Sequence, residues 1–511
     1  MIKHMLSIIG IGLATLMSAT CQEKTNSANS ITYSPLFVPL PQGQWVEVGT
    51  LDLNRLSLNK EGNLTLDIRS ESSFESVRLT IKASEKEIEV IAEQKEVKGK
   101  VQLDYNSEKI GHLDKITISV KLSSEHNLRD RIEIKPTSIE TDGKQIPIVQ
   151  SRQIEPYRVA TPLRDFGDDG VHSYRIPGLV TSTKGTLLAV YDIRRNTSRD
   201  LQGDIDVGLS RSTDGGKSWE PMKVIMDMGE YGGLPQDQNG IGDPAILVDH
   251  ETGHIWVAAL WLNGKPGEMA WNSSRPGMSP SETGQFVLVK SEDDGQSWSE
   301  PIIITDQIKN PEWNLFFNGP GKGITMKDGT LVFPAQFKDK DQMPHSTIIY
   351  SKDKGKTWKV GSGAKSNTTE AQVVELQDGS LMLNMRDNRG GSRSISITSD
   401  LGKTWTEHAT SRSALPEPVC MASIIDNPFH AGMLLFSNPA TEKGRHHITI
   451  KASLNDGDSW PEDLKVLLDE GTGWGYSCLT MINDKEVGIL YESSVANMTF
   501  QIIPLSEILT K

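Results

Sequence analysis

The chain has 511 residues, an ordinary globular composition and a formal net charge of −14. That length exceeds what one hydrophobic core comfortably organises and points to two domains behind an N-terminal targeting segment. The acidic balance excludes a general polyanion binder such as a nucleic-acid protein, while leaving room for a basic pocket within an acidic surface.

Residues 1–20 carry Lys3 and His4 ahead of an apolar, small-residue run. This is the pattern of a secretion signal rather than of a membrane span. The expected destination is the periplasm, the cell surface or the extracellular space. Cys21 follows Ser18, Ala19 and Thr20 and is a candidate lipid-bearing residue of a lipoprotein, although Ser18 stands where an apolar residue is usual. Residues 21–30 are small and polar, as in a tether.

Residues 31–150 contain alternating runs such as Asn63-Leu64-Thr65-Leu66-Asp67-Ile68 and Lys115-Ile116-Thr117-Ile118-Ser119-Val120. The period of two predicts strands with one apolar face, hence a β-sandwich. Such a domain either binds carbohydrate or supports its neighbour. Trp45 is its only tryptophan, which favours the supporting role, since sugar-binding faces usually stack on aromatic rings.

From residue 155 to residue 511 one octapeptide pattern recurs: a hydroxyl residue, Asp or Asn two positions on, then Gly, a second hydroxyl and Trp. The copies occupy residues 212–219, 291–298, 351–358, 398–405 and 453–460, and only the last has Asn (Asn455) for Asp. Asp closes a turn onto the backbone, Gly accepts a left-handed conformation and Trp buries a large ring at the start of the next strand. Spacings of 79, 60, 47 and 55 residues between successive tryptophans suit repeated four-stranded sheets. The fold class is therefore all-β, a β-propeller after a β-sandwich. About 350 residues at about 60 per sheet gives six blades.

Unrepeated polar residues stand out against this frame. Arg175 lies in His172-Ser173-Tyr174-Arg175-Ile176-Pro177-Gly178, Arg386 at the end of an apolar strand, and Arg445 in Lys443-Gly444-Arg445-His446-His447. Alone, Arg175 reads as half of a structural ion pair. Three guanidinium groups converging on one place would instead hold a substrate carboxylate bidentately.

Arg-Ile-Pro ahead of repeated Asp-box turns, with later arginines and a Gly-Tyr-Ser, resembles the bacterial sialidases, or exo-α-neuraminidases, of the gut and oral type that carry an N-terminal β-sandwich. The resemblance implies hydrolysis of terminal α-linked sialic acid from glycoproteins, glycolipids or oligosaccharides, with retention of configuration through a covalent Tyr-linked glycosyl-enzyme. It assigns the carboxylate-binding triad to Arg175, Arg386 and Arg445, with Arg389 and Arg393 as competitors for the middle place. It assigns the acid/base to Asp200, on the loop after Arg194, with Asp204 and Asp206 as rivals. That role predicts a shielded carboxyl with a raised pKa.

The nucleophile is implied to be Tyr476, in Gly473-Trp474-Gly475-Tyr476-Ser477, with Glu370 as its base. Sialic acid bears a carboxylate on its anomeric carbon, and a neutral phenol approaches that carbon without the repulsion an anionic nucleophile would meet. Glu492 is implied to orient Arg175, and Asp243 with Arg194 to contact the O4 hydroxyl. One of Trp256, Trp261 and Trp271 is a candidate wall for the N-acetyl pocket.

No cofactor and no metal are expected. His446 and His447 are adjacent, so on a strand they would face opposite ways and not chelate one ion. Cys420 and Cys478 read as two buried thiols rather than a pair. The alternatives are a trans-sialidase or intramolecular trans-sialidase using the same residues, and a non-catalytic propeller that binds glycans or proteins.

Overall fold

A computed structural model of the chain describes residues 30–509 except 83–86, 111–113, 202 and 264–269. The leader and Cys21 lie outside the described residues. The described chain is built of strands, with three short α-helices, Ala270–Ser273, Thr305–Ile308 and Leu505–Leu509.

Five separate sheets of four to six strands succeed one another from Ser173 to Asp469, blade after blade. The first is a meander of Ser173–Thr181, Leu187–Arg194, Ile205–Ser212 and Lys223–Met226. Every residue of Leu187–Arg194 is buried, because neighbouring blades cover both faces of the sheet. Such strands are continuous apolar runs instead of alternating ones. Val190 and Leu209 of the first blade share a core with Ile246 and Val257 of the second.

Each octapeptide leaves the end of the third strand of its blade and turns the chain toward the outer edge. In the second copy Ser291 Oγ donates to Asp293 Oδ1 at 2.9 Å, Gly295 N–H donates to Ser291 Oγ at 2.8 Å, and Ser297 donates its N–H (2.8 Å) and hydroxyl (2.5 Å) to Asp293. The other copies repeat this pattern, Asn455 included. Each box also presses on the preceding blade. A Cβ on Gly216 would lie 2.4 Å from Phe500, and one on Gly295 2.4 Å from Leu188. Both glycines have left-handed φ, 88° and 79°, so glycine is required by conformation and by space.

Six blades are expected; among the described residues five separate sheets of blade size are found, with one further two-stranded ribbon, Gly391–Ser392 with Pro416–Glu417. Ser477–Met481, Glu486–Tyr491 and Met498–Pro504 continue through Tyr157–Arg164 into a 14-stranded sheet that includes the N-terminal strands. Tyr157–Arg164 is shared: Tyr157 and Arg158 pair with Ile132 and Arg131, while Thr161 and Pro162 pair with Phe500 and Thr499.

The N-terminal strands form two layers joined at Lys144–Gln150. One runs through Ile31–Pro35, Trp45–Asp52, Lys115–Leu122, Phe74–Lys82 and Ile88–Val97, the other through Arg131–Thr141, Glu61–Arg69 and Gly99–Asn106. Leu64 and Leu66 of one layer share an apolar cluster with Leu79 and Ile118 of the other. Ion pairs tie this region and the shared strand to the C-terminal elements: Arg129 to Glu486 of the strand Glu486–Tyr491, and Arg131 and Arg158 to Glu507 of the helix Leu505–Leu509.

Candidate active site

The singled-out residues gather where the inner strands of the blades begin. Three inner strands break register there. Pairing shifts between Arg175 and Gly178, between Gly242 and Ala245, and between Thr368 and Ala371. These irregularities contain or adjoin Arg175, Asp243 and Glu370. A bulge re-aims side chains that a regular strand would send into the blade faces. Ile176 and Asp243 hold φ of 63° and 57°, and a β-branched residue there is strained. The result is a cavity of about 920 Å³ lined by Arg175, Asp200, Asp243, Glu370, Arg386, Arg445 and Tyr476 among others.

Glu492 is fully buried and organises the charged wall. Its Oε1 accepts from Arg175 Nε at 2.6 Å and from the N–H of Ile176 at 3.0 Å, while its Oε2 accepts from the N–H of Tyr476 at 3.0 Å. One carboxylate thus ties the first arginine to the tyrosine loop. The Arg175 guanidinium also lies 4.2 Å from the ring centroid of Trp474, a cation–π contact. Arg445 donates to the carbonyls of Trp474 (3.0 Å) and Val419 (3.1 Å).

Tyr476 donates its hydroxyl to Glu370, at 2.5 Å from Oε1 and 2.7 Å from Oε2, and Arg386 Nη1 reaches both Glu370 Oε2 (2.5 Å) and the phenol oxygen (2.9 Å). Burial, then the Glu370 charge, push the phenol well above its ordinary pKa of 10, against Arg386 and Arg445. The phenol is therefore protonated, with a carboxylate in reach of its proton and a guanidinium beside the oxygen.

Asp200 departs from the shielded, raised carboxyl expected of it. Its side chain is 67% exposed and accepts from Arg194 Nη1 at 2.8 Å. Partial enclosure pushes its carboxyl up, but Arg194, with Arg175 and Arg386 farther off, outweighs that and holds it below the usual range. The neighbouring Leu201 anchors the loop in an apolar cluster with Leu260, Leu315 and Phe317.

Arg194 is buried and donates through Nε and Nη2 to Asp192 Oδ2, at 3.0 and 2.9 Å, while the N–H of Asp243 donates to Asp192 Oδ1 at 2.8 Å. Burial drives the carboxyls of Asp192 and Asp243 upward, Asp243 further because Asp192, Glu370 and Asp200 face it. Sequence reasoning assigned no role to Asp192. Its signal was a charged pair two positions apart in a fully apolar strand, which places both groups on one face.

The rivals lie elsewhere. Arg389 pairs with Asp387 at 3.1 Å, and Arg393 is buried against Glu417 and Asn384. Asp206 pairs with Arg195 at 2.5 Å, and Asp204 stands 3.7 Å from the same arginine. Of the three tryptophans, Trp271 lines the cavity. Trp261 is buried, its indole N–H donating to Asn239, and Trp256 packs against Trp358.

His446 and His447 do not face opposite ways. His447 has a left-handed φ of 61°, which brings the two Nδ1 atoms to 2.5 Å. Among the described residues no group of three His, Cys, Asp or Glu side chains is placed to hold a metal ion. Cys420 and Cys478 are buried free thiols, Cys420 beside Tyr476 and pushed up to about 12 by burial.

The BNR repeat-like domain family model matches residues 176–492. The sialidase of Bacteroides fragilis is 55% identical over 399 residues, covering 77% of this chain and 73% of that protein. The sialidase of Micromonospora viridifaciens is 33% identical, covering 66% of this chain and 52% of its own length. Among solved structures, the Hadza microbial sialidase Hz136 superposes with a TM-score of 0.87 at 42% identity, over 93% of this chain and all of that one. The Trypanosoma rangeli sialidase, solved as a covalent intermediate with 2,3-difluorosialic acid, shares the fold with a TM-score of 0.57 at 22% identity.

Proposed function

This chain belongs to the sialidase family and is a glycoside hydrolase, and from that premise we propose that it removes terminal α-linked sialic acid from glycoconjugates with retention of configuration, through a glycosyl-enzyme on Tyr476. The observation that carries this reading is the Tyr476 hydroxyl held by both oxygens of Glu370 with Arg386 Nη1 at 2.9 Å. Such an arrangement suits a nucleophile with its base.

Arg175, Arg386 and Arg445 grip the substrate carboxylate. As the Tyr476 oxygen bonds to the anomeric carbon, its proton passes to Glu370, and the bond to the glycosidic oxygen breaks with protonation by Asp200. Water then attacks the same carbon and gives its proton to Asp200, while the phenol leaves and regains its proton from Glu370. Asp200 must be protonated for the first step although the arginines hold it ionised in the free protein. A bound carboxylate neutralises part of that arginine field and raises Asp200 at the moment an acid is needed. Asp243, on the cavity wall, meets a sugar hydroxyl and Trp271 walls the pocket, while Arg194, expected to share that contact, is buried behind the wall and instead holds Asp200 in place.

We read the strands from Ser477 to Pro504, closed by Tyr157–Arg164, as a sixth blade, residues 155–511 as the catalytic ring, and residues 31–150 as a separate sandwich. The leader at residues 1–20 would export the protein, with Cys21 as a candidate lipid anchor. The test is NMR of the first product released from an α-sialoside in water. Retention with hydrolysis gives the α-anomer of free sialic acid before mutarotation. The β-anomer first, or an anhydro or transferred sugar, would overturn the reading.

A further inference from the structure

The segment between Asp469 and Ser477, which carries Trp474 and Tyr476, is held from outside the ring. Glu470 N–H donates to the carbonyl of Phe37, and Phe37 N–H donates back to Glu470 Oε2, both at 2.8 Å. Arg152 grips both Glu470 oxygens at 2.5 Å, donates to the carbonyl of Pro35 at 2.6 Å, and rests its guanidinium 4.6 Å from the centroid of the Phe37 ring. The Glu470 carboxylate is buried. It is also 3.9 Å from His447 Nε2, two residues after Arg445. Farther along the segment, Gly473 N–H donates to the Arg445 carbonyl, and Arg445 donates to the Trp474 carbonyl.

We infer that Arg152 and Glu470 are positioning residues. Through them the N-terminal region sets two loops of the mouth, one bringing an arginine to the substrate carboxylate and the other bringing the tyrosine to the anomeric carbon. This rests on the function proposed above. The contact is two-way and bidentate, so it fixes the direction of the segment as well as its place. It sits six residues from Tyr476, and misplacement by about 1 Å can cost on the order of a hundredfold in rate. The region holding Phe37 and Arg152 thereby contributes to turnover without touching substrate.

The test uses the full chain and an aryl α-sialoside. Arg152→Ala and Glu470→Gln should each lower kcat/KM about tenfold or more, with KM rising and kcat falling together, at temperatures well below melting. Arg152→Lys, a milder change, should fall between. The double variant should be no worse than the poorer single one, because both remove one contact. Arg129→Ala, which breaks the Arg129–Glu486 pair of the same seam, should leave activity unchanged. Full activity in Arg152→Ala and Glu470→Gln would overturn the brace, as would an equal loss in Arg129→Ala or multiplied losses in the double variant. Tyr476→Phe run alongside separates the two ideas. Its undiminished turnover overturns the reading of the site and the brace with it, whereas its inactivity beside an intact Arg152→Ala overturns the brace alone.

Discussion

The box turns and the mouth of the ring are both dense in carboxylates, yet they treat them in opposite ways. The box aspartates sit at the surface and are satisfied within their own octapeptide. Asp293 is drawn down to about 2 by the Ser297 hydroxyl and then its N–H, Asp353 likewise by Thr357, and Asp400 to about 2 by the N–H and hydroxyl of Thr404. At the mouth the partners are remote in sequence, 106 residues apart for Tyr476 and Glu370 and 317 for Arg175 and Glu492. There burial drives Asp192, Asp243 and Tyr476 upward instead. Local hydrogen bonds stabilise charge at the turns, whereas at the mouth enclosure penalises it at Asp192 and Asp243, and only Asp200, beside Arg194, is held low.

Substitutions at the mouth should cost turnover with little effect on folding, and the reverse should hold at the boxes. The largest effect is expected for Tyr476→Phe, which removes the phenol oxygen and keeps the ring: kcat should fall by roughly 10³-fold or more, with the melting temperature nearly unchanged. A large loss of stability with only a modest loss of kcat would erase the contrast.

Next in size is the pH response of Asp200. Its carboxyl is held low in the free protein, and the acid role needs the protonated form. The alkaline limb of kcat/KM, which reports the free protein, should therefore lie at lower pH than that of kcat, which reports the complex after the arginines have met the substrate carboxylate. Coincident limbs would show that the bound carboxylate does not raise Asp200. Asp200→Asn should lower kcat by roughly 10²–10⁴-fold, more for a sugar leaving group than for an activated aryl one.

The smallest effect is expected for Asp293→Asn, which copies the Asn455 version of the turn. Activity should be unchanged and the melting temperature should drop by no more than about 2 °C. Asp293 has a folded pKa lowered to about 2 from 3.8. Its contribution is therefore complete above about 3.8 and is lost as pH falls toward 2. Melting curves of the two proteins should converge over that window, and a gap that widens there would contradict the hydrogen-bonded carboxylate.

The same contrast explains what the sequence could disclose. The boxes were legible because each is eight residues long and closes on itself, and the alternation of Leu64, Leu66 and Ile68 marked a strand directly. The roles proposed for Arg175, Tyr476 and Glu370 came from family resemblance, since no local pattern joins residues so far apart. The bulges at Arg175, Asp243 and Glu370 were hidden for a like reason: a register shift belongs to a pair of strands. Pro177 and Pro244, which cannot donate to a ladder, were the visible trace of two of them. The fused sheet depended on Tyr157–Arg164 choosing two partners at once, and the His446–His447 contact on one left-handed residue.

The press of Gly216 on Phe500 also imposes an order in time. The first blade is synthesised nearly three hundred residues before the strand that covers its box. At ordinary rates of translation that wait is about 15–60 s. Arg175 waits longer still for the carboxylate of Glu492. The nascent chain must therefore pass through a stage with one blade edge uncovered and its first arginine unpartnered. On the proposed mechanism activity can begin only when the last strands arrive, because the final part of the chain brings Tyr476, the proposed nucleophile, and Glu492, the carboxylate that holds the first arginine.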